Sequence, residues 1–426
     1  MENPEPTLSS RFLSAASALS GSPPTPGATT LLRTIGYADG DTAATQARVR
    51  ILRAAAHFRR IFRLPVPDAP GLFFFGAEAD PASLGPHNTG QPLAGVAGSG
   101  LTPRQAFEAC VGEGIEYLSQ FARPGDPFRS ATVDSLGATL DPDTNHLLGA
   151  VLPAGHPIDW FPVQRLTDAA ASFYPADLCL RRAATDFVPP LKLSTGCAAG
   201  VTPQAATLHA LLELIERDAV AMWWRGARPP RAIPLETEAA TAAASLLAYL
   251  RQDQSTRRTH LLDITTDLGI PVVAAFSLRN DKDGFALGLA CRPTQAAATR
   301  AAIFELCQSE LSLHVIAAKR RESGDAALND SDRHQLARAA TLHPAICDLL
   351  QPNNDTPPPP PAADPLDAIT RLGIVAYTCD LTRPDFQVPV IRVIAPKLQS
   401  YPGEIITPRL AATIAETGHT PGLPLF

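Results

Sequence analysis

The segment STGCAAGVTPQAATLHALLELIERDAVAMWW, residues 194–224, decides the reading of the chain. It opens on small residues, passes the pair Thr202 and Pro203, and continues as an apolar run broken by Glu213, Glu216 and Arg217. A Thr ahead of such a run is a helix N-cap whose hydroxyl satisfies a free amide, and proline is favoured at the first helical position. The pattern predicts a helix opening at Pro203. Glu213 and Glu216 stand three apart and therefore share one of its faces.

The same spacing occurs twice more. Thr102, Thr202 and Thr294 each stand eleven residues before Glu113, Glu213 and Glu305, and Glu116, Glu216 and Gln308 follow three residues later. An alanine lies four residues after each Thr, at Ala106, Ala206 and Ala298. Three helices are predicted, each carrying a pair of oxygen-bearing side chains. Between the second and third, HLLDITTDLGIPVVAAFSLR (260–279) and GFALGLACR (284–292) read as strands, as do GLFFFGAEA (71–79) and VPVIRVIAPKL (388–398). Strands alternating with helices place the chain in the mixed α/β class.

Upstream, residues 1 to about 30 are rich in Ser, Pro, Gly and Thr and are expected to be poorly ordered. The stretch ARVRILRAAAHFRRIFR (47–63) has apolar residues near helical spacing and predicts one basic amphipathic helix, docked on the main domain or offered to a partner or peptide. An N-terminal extension over 1–70 thus precedes a main domain over 71–426, with its core at about 95–400. A Pro-rich insertion at about 324–365, around the prolines of 357–361, reads as a flexible surface excursion, and 401–426 form a tail.

At 426 residues and 45% hydrophobic, the chain has ample material for a large core. A net charge of -6 offers no field for nucleic acid. No run of eighteen apolar residues and no signal-peptide pattern is present, so a cytoplasmic protein without a membrane role is expected. Seven cysteines, widely spaced and without a CxxC pair, read as small core residues.

The neighbours of the paired carboxylates are mostly apolar, so the acidic helices are expected to be buried on nearly all sides. Buried carboxylates need countercharge, and Arg217 supplies one. Magnesium fits the remainder, because it is a hard cation that shares carboxylates with phosphates. The small residues of LSTGCAAGVTP, with Ser194, Gly196 and Ala198, and of GVAGSGLTP, with Ser99, would let backbone amides approach a phosphate ahead of a helix N-terminus. No GxSxG and no HExxH is present. His209 reads as a packed helix residue, and Cys197 as serving shape rather than chemistry.

These residues resemble a known family. The Ser-x-Gly-x-Ala-x-Gly turn at 194–200 running into Glu-x-x-Glu-Arg-Asp at 213–218 is similar to the signature of the YcaO family, and GSGLTPRQAFEACVGEGIEYLS, DITTDLGIPVVAAFSLR, the Glu305 to Gln308 helix and DLTRPDFQVPVIRVIAPKL extend the likeness over about 95–400. The resemblance implies a fold in which acidic helices hold magnesium around ATP, and enzymes that activate a backbone amide of a ribosomally made precursor peptide. It implies Glu113, Glu116, Glu213, Glu216 and Glu305 as metal ligands. Ser99, Ser194, Gly196, Cys197, Ala198, Arg217 and Gln308 become nucleotide contacts, with Glu213, Glu216 and Arg217 as the catalytic set. Where many members carry Arg after the first Glu pair, this chain has Tyr117.

Phosphorylating an amide oxygen turns it into a leaving group, so attack by a neighbouring Cys, Ser or Thr of the peptide ends in an azoline instead of collapsing back. No enzyme nucleophile is required. The end of the chain, Pro421 to Phe426, matches only loosely the Pro-x-Pro-x-Pro tail of ring-forming members, which keeps a thioamide-forming enzyme and a non-catalytic scaffold as alternatives. A separate leader-binding or TfuA-like partner protein is implied, and a homodimer is compatible with the family.

Overall fold

The structure, a computed structural model, describes residues 7–37, 44–136, 155–189, 192–254, 256–279, 283–353, 355, 357–403, 405–418 and 425. The chain forms two compact units, one from Met1–Pro65, Leu72–Ala210 and Ala376–Ile394, the other from Val66–Gly71, Leu211–Val375 and Ala395–Phe426. All three predicted helices are present, as Pro103–Ser119, Pro203–Trp224 and Gln295–Ser323. Each Thr caps its helix: the hydroxyls of Thr102, Thr202 and Thr294 accept from the amides of Gln105, Ala205 and Ala297 at 3.1 to 3.2 Å.

In the first unit, the strands Phe58–Leu64, Phe73–Ala79 and Ala94–Gly100 form an antiparallel sheet in that order, and the first acidic helix, Pro103–Ser119, packs on it. Gly98 permits that packing, since a Cβ there would fall 2.1 Å from the amide nitrogen of Cys110. A second sheet orders Arg129–Ala131, Ile158–Arg165, Tyr377–Asp380, Val390–Ile394 and Cys197–Ala199, with Ala171–Pro175 paired to Ile158–Arg165.

Two expectations for the N-terminal region change. Residues 1 to about 30 are expected to be poorly ordered, yet the described part forms helices Leu8–Leu19 and Pro26–Thr34, because Phe12 buries itself by stacking on Phe107 at 5.9 Å. Ser and Thr, read as signs of disorder, instead cap: Thr7 and Thr25 accept from the amides of Ser10 and Ala28. The basic stretch is helical only over Thr45–Ala55 and continues as the strand Phe58–Leu64. Pairing with Phe73–Ala79 and burial of Phe58 override the helical periodicity.

In the second unit, Ala286–Cys291, Val272–Arg279, Arg257–Asp263 and Arg231–Ala232 form an antiparallel sheet in that order. The third acidic helix, Gln295–Ser323, is long and apolar enough to cross a membrane by length and composition, yet it packs on the first two of these strands. The proline run is tied down at its end by Ala362, whose amide donates to the carbonyl of Gly269 at 3.0 Å. The insertion also holds a helix, Asp330–Thr341, closed by a reciprocal cap between Asn329 and Asp332. The excursion is thus partly built structure, because local capping and a backbone bond satisfy its polar groups.

A buried ionic network fastens the third helix. Fully buried Glu310 accepts from both terminal nitrogens of Arg251 at 2.6 and 2.8 Å and from the Ser277 hydroxyl at 2.6 Å, with Arg257 at 3.2 Å. Asp68 extends it, bonded to His314 at 2.9 Å and to the Thr256 hydroxyl at 3.0 Å. Burial alone would raise the Asp68 pKa, but the His314 bond and charge, Arg257 and Thr256 together outweigh it and bring it down to about 2.

Replacing Glu310 by Ala strands two buried guanidinium groups and is expected to cost about 3–5 kcal/mol, read as a lower denaturant midpoint. For Asp68 the folded pKa lies below the ordinary value of 3.8, so its contribution is present above that pH and lost as pH falls through about 2. The stability gap between wild type and Asp68→Asn should therefore close over that window in acid unfolding; a gap that persists below it contradicts the assignment.

Candidate active site

The acidic side chains reach back to the edges of sheets. Among the described residues Ala94–Gly100, Cys197–Ala199 and Ala286–Cys291 each form a sheet edge, so their outward amides have no strand there to bond. Carboxylates take that place. Glu113 Oε2 accepts from Ala97 at 2.8 Å, Glu116 Oε1 from Ala199 at 2.7 Å, and Glu216 Oε2 from Cys291 at 3.1 Å. Glu305 accepts from the amide of Leu289.

These bonds follow one rule in the numbering. Glu113 and Glu305 bind the amide five residues before the Thr cap of their own helix, at Ala97 and Leu289. Glu116 and Glu216 bind the amide three residues before the Thr cap of the next repeat, at Ala199 and Cys291. The eleven-residue spacing thus sets where along the preceding strand each carboxylate lands. The repeat is one of supersecondary structure as well as sequence.

On the strand Ala286–Cys291 the two kinds of bond meet. Leu289 and Cys291 are alternate residues, so their amides point the same way, about 7 Å apart. Glu305 and Glu216 are brought side by side, and burial first, then the charge of Glu216, push the Glu305 pKa up to about 8 against the pull of Arg217. Glu305 is nonetheless exposed to solvent at its surface. Arg217 is held above its usual range: burial would lower it, but Glu216, Glu213 and Glu305 raise it further. Its guanidinium lies 3.5 Å from Glu213.

The expectation of complete burial is corrected. Glu216 is buried, Glu116 and Glu213 are half-buried, and Glu113 is exposed. Apolar neighbours bury the flanks of each helix, while the carboxylate stripe faces the strand edges and stays partly open. Gln308 is half-buried on the third helix. Among the described residues no group of three or more His, Cys, Asp or Glu is assembled as a cation cage.

The turn ahead of the second helix has Ser194 exposed and Gly196, Cys197 and Ala198 buried. Gly196 has φ +75°, a left-handed conformation in which glycine is at ease. Arg392, 1% exposed, donates to the carbonyls of Leu193 and Thr195, and Val393 donates to that of Gly196 at 2.7 Å. This brace was missed in the sequence, where the sole signal was an Arg inside the apolar run VIRVI. The other segment, GVAGSG, is a strand; Ser99 is part-buried in it, opposite Phe74. Gly98 and Gly100 serve close packing on a helix.

Two further side chains escaped sequence reading. Arg181 lies over the Tyr117 ring at 5.6 Å and donates to Gln120 at 3.0 Å; Cys197 is close enough to raise its pKa, although burial sets the net direction downward. Arg338, from the insertion, is close enough to Glu305 for that carboxylate to raise its pKa against a larger lowering by burial. His209, expected to be packed, is exposed; with Arg48, Glu108, Gly112 and Ala199 it lines a cavity of about 440 Å³. Cys197 is buried, in line with a shape role. The tail residues Pro421 to Pro424 and Phe426 lie outside the described residues.

Comparison with known proteins decides the kinship: a family model described as YcaO cyclodehydratase, ATP- and Mg2+-binding, matches residues 97–399. The chain belongs to the YcaO family. Among solved structures, a heterocyclase in complex with substrate and cofactor aligns with TM-score 0.66 and 22% identity over 90% of this chain and 56% of that one. YcaO from Methanopyrus kandleri, bound with AMPPCP and Mg2+, aligns with TM-score 0.59 and 17% identity over 90% and 94% of the two chains. A curated relative from Rhizobium leguminosarum bv. trifolii, an uncharacterized protein in the tfuA 3' region, is 29% identical over 231 residues, half of this chain and 54% of that protein. The match spans about half the length of that relative.

The donor set fits the family's cation. Magnesium is held by one or two carboxylates plus phosphate oxygens, and so needs no ready cage of three protein ligands. Carboxylates with one oxygen fixed on a backbone amide are oriented as ligands commonly are. Without a cation, ionising Glu305 beside Glu216 is unfavourable, so stability should fall as pH rises from the ordinary 4.5 through about 8. Glu305→Gln should abolish that decline, and Glu216→Gln should lower the Glu305 pKa, followed by carboxyl carbon NMR; an unmoved titration contradicts the pairing.

Proposed function

We propose that this protein uses ATP and Mg2+ to activate backbone amides of a ribosomally made precursor peptide, forming azolines from Cys, Ser or Thr. The observation that carries the reading is the joining of Glu216 and Glu305 on alternate amides of one strand edge, with Arg217 beside them, in a chain of the YcaO family. Two clustered carboxylates repel when both ionise beside a single guanidinium, and a divalent cation would relieve that repulsion and favour the ionised form of Glu305.

In this reading Glu113, Glu116, Glu213, Glu216 and Glu305 hold magnesium, while Ser99, Ser194, Gly196, Cys197, Ala198, Arg217 and Gln308 contact the nucleotide. Bound ATP supplies the phosphoryl group that makes an amide oxygen able to leave. Arg217, kept cationic by its three carboxylates, stabilises negative charge on phosphate oxygens. Arg392 keeps the turn at 193–196 in one shape, which supports orientation of the nucleotide. The peptide provides the attacking thiol or hydroxyl, so the enzyme's part is placement and charge.

A second reading is thioamide formation with a TfuA-like partner, favoured by the likeness to a protein encoded in a tfuA 3' region. Either reading expects a separate leader-binding or TfuA-like protein, and a homodimer belongs to the proposal. Seven cysteines, none in a disulfide, support a reducing, cytoplasmic setting.

Protein, partner and precursor with ATP and Mg2+ should yield peptide lighter by one water per ring, seen by mass spectrometry. Exchange of oxygen for sulfur would select the thioamide reading. Unchanged peptide under both conditions, with no ATP consumed, would leave a scaffold. Replacing Glu213 and Glu216 by Gln should lower turnover by about 10²-fold or more, the scale of losing transition-state charge stabilisation; undiminished product formation would remove them from the catalytic set.

A further inference from the structure

The strand Phe58–Leu64 is an edge of its sheet, and among the described residues its sole strand neighbour is Phe73–Ala79. Its other side makes no backbone hydrogen bond among those residues. A seven-residue open edge presents a row of unmet amides and carbonyls, which is the means by which a sheet takes up an extended peptide. Charge gives that row a sign. Residues 47–64 contain six Arg and neither Asp nor Glu, in a chain whose net charge is -6.

The arginines are placed to be used. Arg59 and Arg60 have side chains 65% and 66% exposed and, among the described residues, share one carboxylate, Glu78, at 4.0 and 3.3 Å, so the pair carries excess positive charge there. Arg63 is exposed over the Phe73 ring at 4.7 Å, and Arg53 is exposed on the helix Thr45–Ala55 just before the strand. Between them Ile61 and Phe62 are half-buried. The edge therefore intersperses cationic and apolar side chains along a backbone left open among the described residues.

We propose that the strand Phe58–Leu64 docks an extended acidic peptide segment of another polypeptide, added as a fourth strand of the sheet. Edge pairing recognises a peptide backbone, which a nucleic acid or a lipid surface does not have. A second copy of this strand is disfavoured, because edge-to-edge pairing would set Arg59, Arg60 and Arg63 against the same residues. The docking surface uses none of the carboxylates assigned to the ATP site and stands independently of the proposed reaction.

The test is fluorescence anisotropy of a labelled synthetic peptide of about a dozen residues, in which Glu alternates with Val and Thr, titrated with the full chain without nucleotide. Binding should occur at low salt and weaken as salt rises. The variant Arg59→Glu, Arg60→Glu, Arg63→Glu should lose about tenfold or more in affinity while keeping wild-type ATP turnover. The same peptide N-methylated at alternate amides keeps its charge but not its ladder, and should bind wild type at least about tenfold more weakly. Equal binding of the N-methylated peptide, or no binding of either, overturns the proposal without touching the ATP reading. Sedimentation showing a dimer through this strand would assign the edge to a second copy and overturn it as well.

Discussion

The organising constraint is the carboxylate-to-amide bond at a sheet edge. An edge strand has outward amides that water or another group must satisfy, and a helix that returns over that edge brings its own side chains within reach. Here four glutamates take such amides, at Ala97, Ala199, Leu289 and Cys291. The bond settles two matters at once. It closes the edge, and it fixes the direction of a charged group that would otherwise sample many rotamers.

Electrostatics follows from that geometry. Alternate residues of one strand present their amides on one side, so two carboxylates that bind them become neighbours despite coming from different helices. Like charge at that range is unfavourable, and the raised Glu305 and strengthened Arg217 are its two signatures. Glu310, five residues beyond Glu305, has the opposite fate. It is fully buried and satisfied by Arg251, Arg257 and Ser277, so it holds the helix on the sheet. One helix thus carries a carboxylate left in electrostatic tension and a carboxylate used as a fastener.

Much of this was legible. The Thr caps, the three helices and the strands between them follow from local rules of capping and periodicity, and the paired Glu spacing marked side chains that turn out to bond strand-edge amides. Other features were not. The burial expected for the acidic helices was too complete, because apolar neighbours report on the flanks of a helix and not on the side that faces a strand edge. The glycines of GVAGSG pointed to an anion, whereas Gly98 is required by the approach of Cys110. Arg392, Arg181 and Arg338 gave almost no signal, since an isolated Arg acquires meaning only from the turn, ring or carboxylate beside which the fold places it.

The N-terminal region shows where the division lies. The apolar spacing of 47–55 specifies a helix by local periodicity, which the sequence alone determined, whereas the helices capped by Thr7 and Thr25 also needed the burial of Phe12 against Phe107. The change from helix to strand after Ala55 was decided by tertiary structure, because the residues of 58–64 satisfy helical periodicity and strand pairing alike, and the presence of Phe73–Ala79 selects the strand. In the same way the sequence determined which carboxylates are paired along each helix. Which strand amide each one binds, and that Glu216 and Glu305 become neighbours, depended on contacts between residues 75 to 83 positions and more apart or on the close return of a helix, relations that no local rule contains.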